Sequence, residues 1–120
     1  MNVRAIRGAI QIDADTPALM QEAVTELMTT IMETNSLVSS DLISVLFTCT
    51  PDLVSDFPAA SARAMGLGAV PLLCAVEIAV PSSLPRTIRV MVHCVTPRSQ
   101  AEISHIYLRG ATVLRKDLAQ

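Results

Sequence analysis

Residues 70–80 read VPLLCAVEIAV, an apolar run long enough to cross a sheet, and one carboxylate, Glu77, interrupts it. A run of this kind predicts a strand with a buried face. It also sets a condition on the rest of the fold, because an ionised carboxylate that leaves water unpaired loses several kcal/mol of hydration. Glu77 therefore needs solvent, a cation or a task.

The neighbouring segments supply more strands and few helices. Residues 2–12, NVRAIRGAIQI, alternate, with Val3, Ala5, Arg7 and Ala9 on one face and Arg4, Ile6, Gly8 and Ile10 on the other. Arg7 thus falls in the middle of a strand. Thr16 followed by Pro17 is an N-cap and a proline at the first helical position. The pairs Leu19/Met20, Ala23/Val24, Leu27/Met28 and Ile31/Met32 then mark one helix face as far as Asn35. Residues 41–50 predict a second strand, stopped by Pro51. Pro58 to Gly66 predicts a short helix carrying Arg63. Residues 86–95, RTIRVMVHCV, form a further strand with Arg89, Met91 and His93 on one face. Ser99 and Glu102 make a capping box that predicts a helix toward Tyr107, and 111–115 reads as a last strand. The order βαβαββαβ predicts an α+β fold, mixed α/β in character, in a single domain covering residues 1–120.

Composition narrows the class. Apolar residues make up 51% of the chain, yet there is no Trp, one Tyr and two Phe, so the core is built from aliphatics, Ala and six Met. Such an apolar share on so small a surface predicts that part of it is a subunit interface. No stretch approaches the roughly 20 apolar residues that span a bilayer, and the N-terminus lacks the apolar centre of a signal peptide. A soluble, cytoplasmic protein without a membrane partner is expected. Cys49, Cys74 and Cys94 lie far apart within apolar runs, which fits reduced thiols and neither a disulfide frame nor a metal site. A net charge of −2 argues against nucleic acid as a partner. Eight of the nine basic residues are Arg, whose planar guanidinium suits bidentate binding of carboxylate or phosphate.

The MGLGAV stretch follows a predicted helix and lacks a third glycine, so no dinucleotide loop is expected, and no cofactor is called for. His93 and His105 have no acid or thiol partner close by in sequence, and each reads as a packed or surface residue. What remains is a set of charges in places where apolar residues are the default: Arg7, Glu77 and Arg89 in strands, Arg63 on a short helix, together with the sole tyrosine, Tyr107. Several arginines and one acid describe a site for a small anion with more than one carboxylate.

The segments VRAIRGAIQID, TPDLVSDFPAASAR, VPLLCAVEI, PRTIRVMVHC and HIYLRGATVLRKDL together resemble the monofunctional, trimeric chorismate mutases of the AroH class, in order and over nearly the whole chain. The resemblance implies a homotrimer with a pseudo α/β barrel core of β-sheet, helices outside, and active sites between neighbouring subunits. It implies the Claisen rearrangement of chorismate to prephenate in phenylalanine and tyrosine biosynthesis. By the same likeness Arg89 donates to the ether oxygen and Glu77 meets the ring hydroxyl, with Cys74 supporting Glu77. Arg7, Arg63 and Tyr107 hold carboxylates, Phe57 lines the cleft, and Arg115 closes over it from a mobile tail, residues 115–120. Leu73 and Ala60 depart from the family's usual polar residues. A trimeric protein that binds a small anionic metabolite without catalysis is the alternative. Cys74 and Glu77 are three residues apart, so serving one site predicts a bulge between them.

Overall fold

The computed structural model describes residues 1–114. Its centre is a five-stranded sheet of order β3-β2-β4-β1-β5. The strands are β1 (Asn2–Gln11), β2 (Leu42–Cys49), β3 (Leu72–Val76), β4 (Thr87–Thr96) and β5 (Ile106–Leu108). The three central strands are antiparallel, from Asn2↔Thr96 to Gln11↔Thr87 between β1 and β4, and from Leu42↔Cys94 to Cys49↔Ile88 between β2 and β4. The two edges are parallel additions, β3 beside β2 and β5 beside β1.

Helix α1 (Pro17–Thr34) begins where the sequence predicts, with the Leu19 N–H donating to the Thr16 hydroxyl at 3.1 Å. Its buried stripe, Met20, Ala23, Val24, Leu27, Met28 and Ile31, packs on Ile6, Ile10, Val45, Phe47, Ile88, Val90 and Val92 from the sheet. Gly8 marks the closest approach, since a Cβ there would stand 2.9 Å from Ile31 Cδ1 and 3.1 Å from Val90 Cγ1. Helix α2 (Pro58–Ala62) runs into a π turn, Arg63–Leu67, and also joins this side of the sheet through buried Ala62 and Leu67. The opposite face carries Arg7, Leu46, Thr48, Arg89, Met91 and His93, all exposed or only partly buried.

Four sequence expectations need correction. The strand expected over 70–80 is only five residues long, because its partner β2 stops at Cys49 before Pro51. The ladder ends with the Glu77 N–H donating to the Cys49 carbonyl at 2.8 Å, so Glu77 lies just past the strand and not within it. The register of β3 on β2 runs without a shift, so no bulge separates Cys74 from Glu77. The helix expected to run from Ser99 toward Tyr107 is a single 3-10 turn, Gln100–Glu102. Its box is real, with the Ser99 N–H donating to Glu102 Oε1 at 2.8 Å, but tertiary contacts stop it. Buried Asn35 accepts from the Ser104 N–H and donates to the Ser104 carbonyl, both at 2.9 Å, and this pulls the chain straight into β5. Tyr107 is therefore a strand residue. The expected strand over 111–115 is instead a 3-10 turn, Arg109–Val113, entered through a left-handed Arg109 (φ 55°) whose guanidinium bonds Glu22 and Glu26 of α1.

Candidate functional site

Alternation decides which residues share the open face. The pairs Ala75↔Thr48, Thr48↔Arg89, Arg89↔Ala9 and Ala9↔Tyr107 form one row across all five strands. Ala9 and Ala75 are the small members of this row, and Ala9 is fully buried against Tyr107 and Ala111. Arg7 lies two residues from Ala9 and Glu77 two residues from Ala75, so both project to the same side as the row.

Arg7, Glu77, Arg89 and Tyr107 converge on a cleft of about 250 Å³, together with Gly8, Leu46, Thr48, Val90 and Met91. Arg89 Nε stands 3.6 Å from Glu77 Oε1, both side chains being partly buried. The Thr48 hydroxyl donates a short hydrogen bond to the same Glu77 oxygen. Glu77 thus has both a cation and a neutral donor, which answers the condition set by its apolar surroundings. Tyr107 is 6% exposed and packs with Ala9 and Ala111, Leu84 and Leu114 lying against them. Among the described residues the Arg7 guanidinium has no hydrogen bond or ion pair, and its cationic head is available to an anion.

Phe57 and Cys74 lie elsewhere. They line a second cleft, of about 480 Å³, with Cys49, Leu53, Pro58 and Val76. Cys74 pairs with Phe47 and packs toward the helix-covered core, on the opposite face from Thr48 and Glu77. Within one chain the partner of Glu77 is therefore Thr48 and not Cys74. Phe57 is exposed on a loop that Asp15 holds, its carboxylate accepting from the Val54 and Ser55 N–H groups at 3.0 and 3.1 Å. The Val54 N–H, helped by Ser55, keeps Asp15 below the usual carboxylate range. Arg63 is exposed on the π turn and has no partner among the described residues. Arg115 and the tail 115–120 lie outside the described residues.

The arrangement holds cations, one acid, one phenol and one hydroxyl, that of Thr48, which is bound to the acid. Burial, with lesser contributions from nearby Cys74 and Asp15, pushes the Cys49 thiol up to about 12, so it remains protonated near neutrality. Among the described residues no group of three or more His, Cys, Asp or Glu side chains is placed to hold a metal ion, and no helix is long and apolar enough to cross a membrane. Such a cleft can bind a small polyanion and stabilise separated charges in it.

Sequence reasoning passed over Thr48, which lies in a correctly predicted strand. Its signal is a hydroxyl on the same alternating face as Leu46, two strands from Arg7. Ala9 gives no chemical signal in the sequence, because its part is packing, fully buried against Tyr107 and Ala111.

The family model for chorismate mutase type I matches residues 3–118. A chorismate mutase AroH from Thermus thermophilus is 48% identical over 117 residues, covering 97% of this chain and 96% of the relative. One from Bacillus subtilis is 37% identical over 120 residues, covering 99% and 94%. The solved structure of a chorismate mutase from Clostridium thermocellum superposes with a TM-score of 0.89 at 42% identity, covering 91% of this chain and 97% of the other.

Proposed function

The chain belongs to the type I chorismate mutase family, and from that premise we propose how its residues divide the work of the reaction. The chemistry is the isomerisation of chorismate to prephenate, a unimolecular rearrangement with no group to attack and no proton that must move. A protein can speed it only by holding the reactive conformer and stabilising charge as it separates. Negative charge grows on the ether oxygen as the C–O bond breaks, and positive charge spreads over the ring.

Arg89 meets the first charge and Glu77 the second. The observation that carries this assignment is their position 3.6 Å apart at the mouth of one cleft, on the open face of the sheet. Arg7 and Tyr107 hold carboxylate from the same cleft. Thr48 keeps Glu77 turned inward through its hydrogen bond.

Phe57, Cys74 and Arg63 act from a neighbouring copy. Two features support this. The charged cleft, at about 250 Å³, is smaller than the range of roughly 300–1,000 Å³ usual for a small-molecule site. The other residues line a second cleft or stand exposed. The apolar side chains left in water along the β3 edge, Leu73 at 65%, Val76 at 70% and Ile78 at 82% exposure, suit burial between subunits. A cyclic homotrimer with three composite sites accounts for both clefts. Arg115 contributes from the chain end, and the protein works in the cytoplasm in aromatic amino acid biosynthesis.

The test follows chorismate absorbance with purified protein. Wild-type protein consumes chorismate, and Arg89→Ala lowers kcat by about 10²–10³, the cost of removing one preorganised donor. Equal rates in the two proteins would remove Arg89 from the mechanism.

A further inference from the structure

Strand β1 lies between β4 and β5, and alternate residues of such a strand turn their N–H groups to opposite neighbours. The ladder between β1 and β5 is only three pairs long, Gly8↔Ile106, Ala9↔Tyr107 and Ile10↔Leu108. It begins one residue after Arg7. The Arg7 N–H therefore points to the β5 side at a place where β5 has not yet started, and a half-buried N–H without an acceptor is costly. The acceptor is a side chain: Nδ1 of His105 receives the Arg7 N–H at 2.9 Å.

We infer that His105 is a positioning residue for the substrate-binding cleft, its Nδ1 standing in for the missing strand carbonyl and fixing Arg7 and Tyr107 relative to each other. The inference rests on the reading above in which Arg7 holds a substrate carboxylate. Three features carry it. His105 lies two residues before Tyr107 and bonds the backbone of Arg7, so one ring joins both carboxylate-holding residues. The bond lies at the end of a three-residue edge strand, where no further backbone pairing holds the register. The neighbouring Gly8 has no slack, since a Cβ there would meet the Ile106 carbonyl at 3.2 Å, so a shift of β5 is passed to β1. An imidazole that accepts at Nδ1 carries its proton on Nε2.

Two measurements decide it. The first is the ring tautomer in the intact protein, from nitrogen–proton correlation spectra of histidine-labelled material near neutral pH. His105 protonated at Nε2 alone agrees with the inference, and a proton on Nδ1 overturns it whatever the variants do.

The second is a kinetic series. His105→Phe keeps a flat ring and lacks the acceptor, and it should raise KM for chorismate about tenfold with kcat within about twofold. His105→Asn places an amide oxygen near the Nδ1 position and should bring KM back toward wild type. A normal KM in His105→Phe, an unrescued KM in His105→Asn, or a fall in kcat alone would each overturn the inference. Arg7→Ala, measured in parallel, separates the two layers of argument. If it leaves KM unchanged, the reading of Arg7 fails, while the tautomer still reports whether the His105 contact exists.

Discussion

Arg89 and Glu77 are each other's counter-ions, and Thr48 is the neutral member of the trio. Removing the hydroxyl tests whether Glu77 must be held as well as present. Thr48→Val keeps the branched shape and should lower kcat by about tenfold with little change in folding stability, seen by comparing chorismate turnover with thermal melts. Cys49 makes a different prediction. Its folded thiol titrates at about 12, above the ordinary value of 9.0, so the folded state disfavours the thiolate. The stability that follows is fully present below pH 9 and is lost as pH rises toward 12. Denaturant unfolding across this range should show wild-type stability falling more steeply than that of Cys49→Ala, whose own deficit is present at every pH. Residues such as Arg7, Glu77 and Arg89 were legible in the sequence because a charge in an apolar run has a physical cost that demands a reason. Thr48 and His105 were not, because a polar side chain on a strand or before one carries no such cost until its partner is known.

Elements were legible where local chemistry and tertiary packing agree. Helix α1 has its cap, its proline and its stripe in the sequence, and the structure begins and ends it within a residue of the expected places. The segment after Ser99 has an equally valid start signal, yet it forms one turn, because Asn35 engages Ser104 from across the core. Asn35 is 1% exposed and also donates to the Ile31 carbonyl at 2.9 Å, and the Arg98 guanidinium donates to its amide oxygen and to the Thr34 carbonyl at the end of α1. Asn35→Ala leaves the Ser104 N–H and carbonyl without partners in a half-buried place, and should destabilise the fold by about 1–3 kcal/mol. Guanidinium unfolding measures the loss. Amide exchange in Ser104 to Leu108 should accelerate more than in β4, because β5 is the element this residue steers. Strand β3 shows the converse error, since an eleven-residue, mostly apolar run suggested a long strand and the length of β2 decided otherwise.

At the scale of the whole molecule, the helices cover one face of the sheet and leave the other to the charged cleft. The sequence revealed the apolar surplus that such a half-covered sheet produces. It could not reveal that Phe57 and Cys74 would lie away from Arg7 and Glu77, because strand order and register depend on pairings between distant segments. Mixing subunits tests the composite reading. Arg89→Ala and Arg63→Ala should each be poorly active alone. After joint unfolding and refolding, mixed trimers should recover up to about a quarter of wild-type activity, since one site in four receives both intact halves. Sites contained within single chains would give no recovery.

The row that runs from Ala75 through Thr48, Arg89 and Ala9 to Tyr107 has a consequence in time as well as in space. Its members come from both ends of the chain and from three segments between, and the contact that closes it, Arg7 with His105, joins residues 98 positions apart. Closing so long a loop is slow compared with forming a helix or a hairpin. During refolding, helical signal should therefore return first and chorismate turnover last, after β5 has docked and the subunits have assembled.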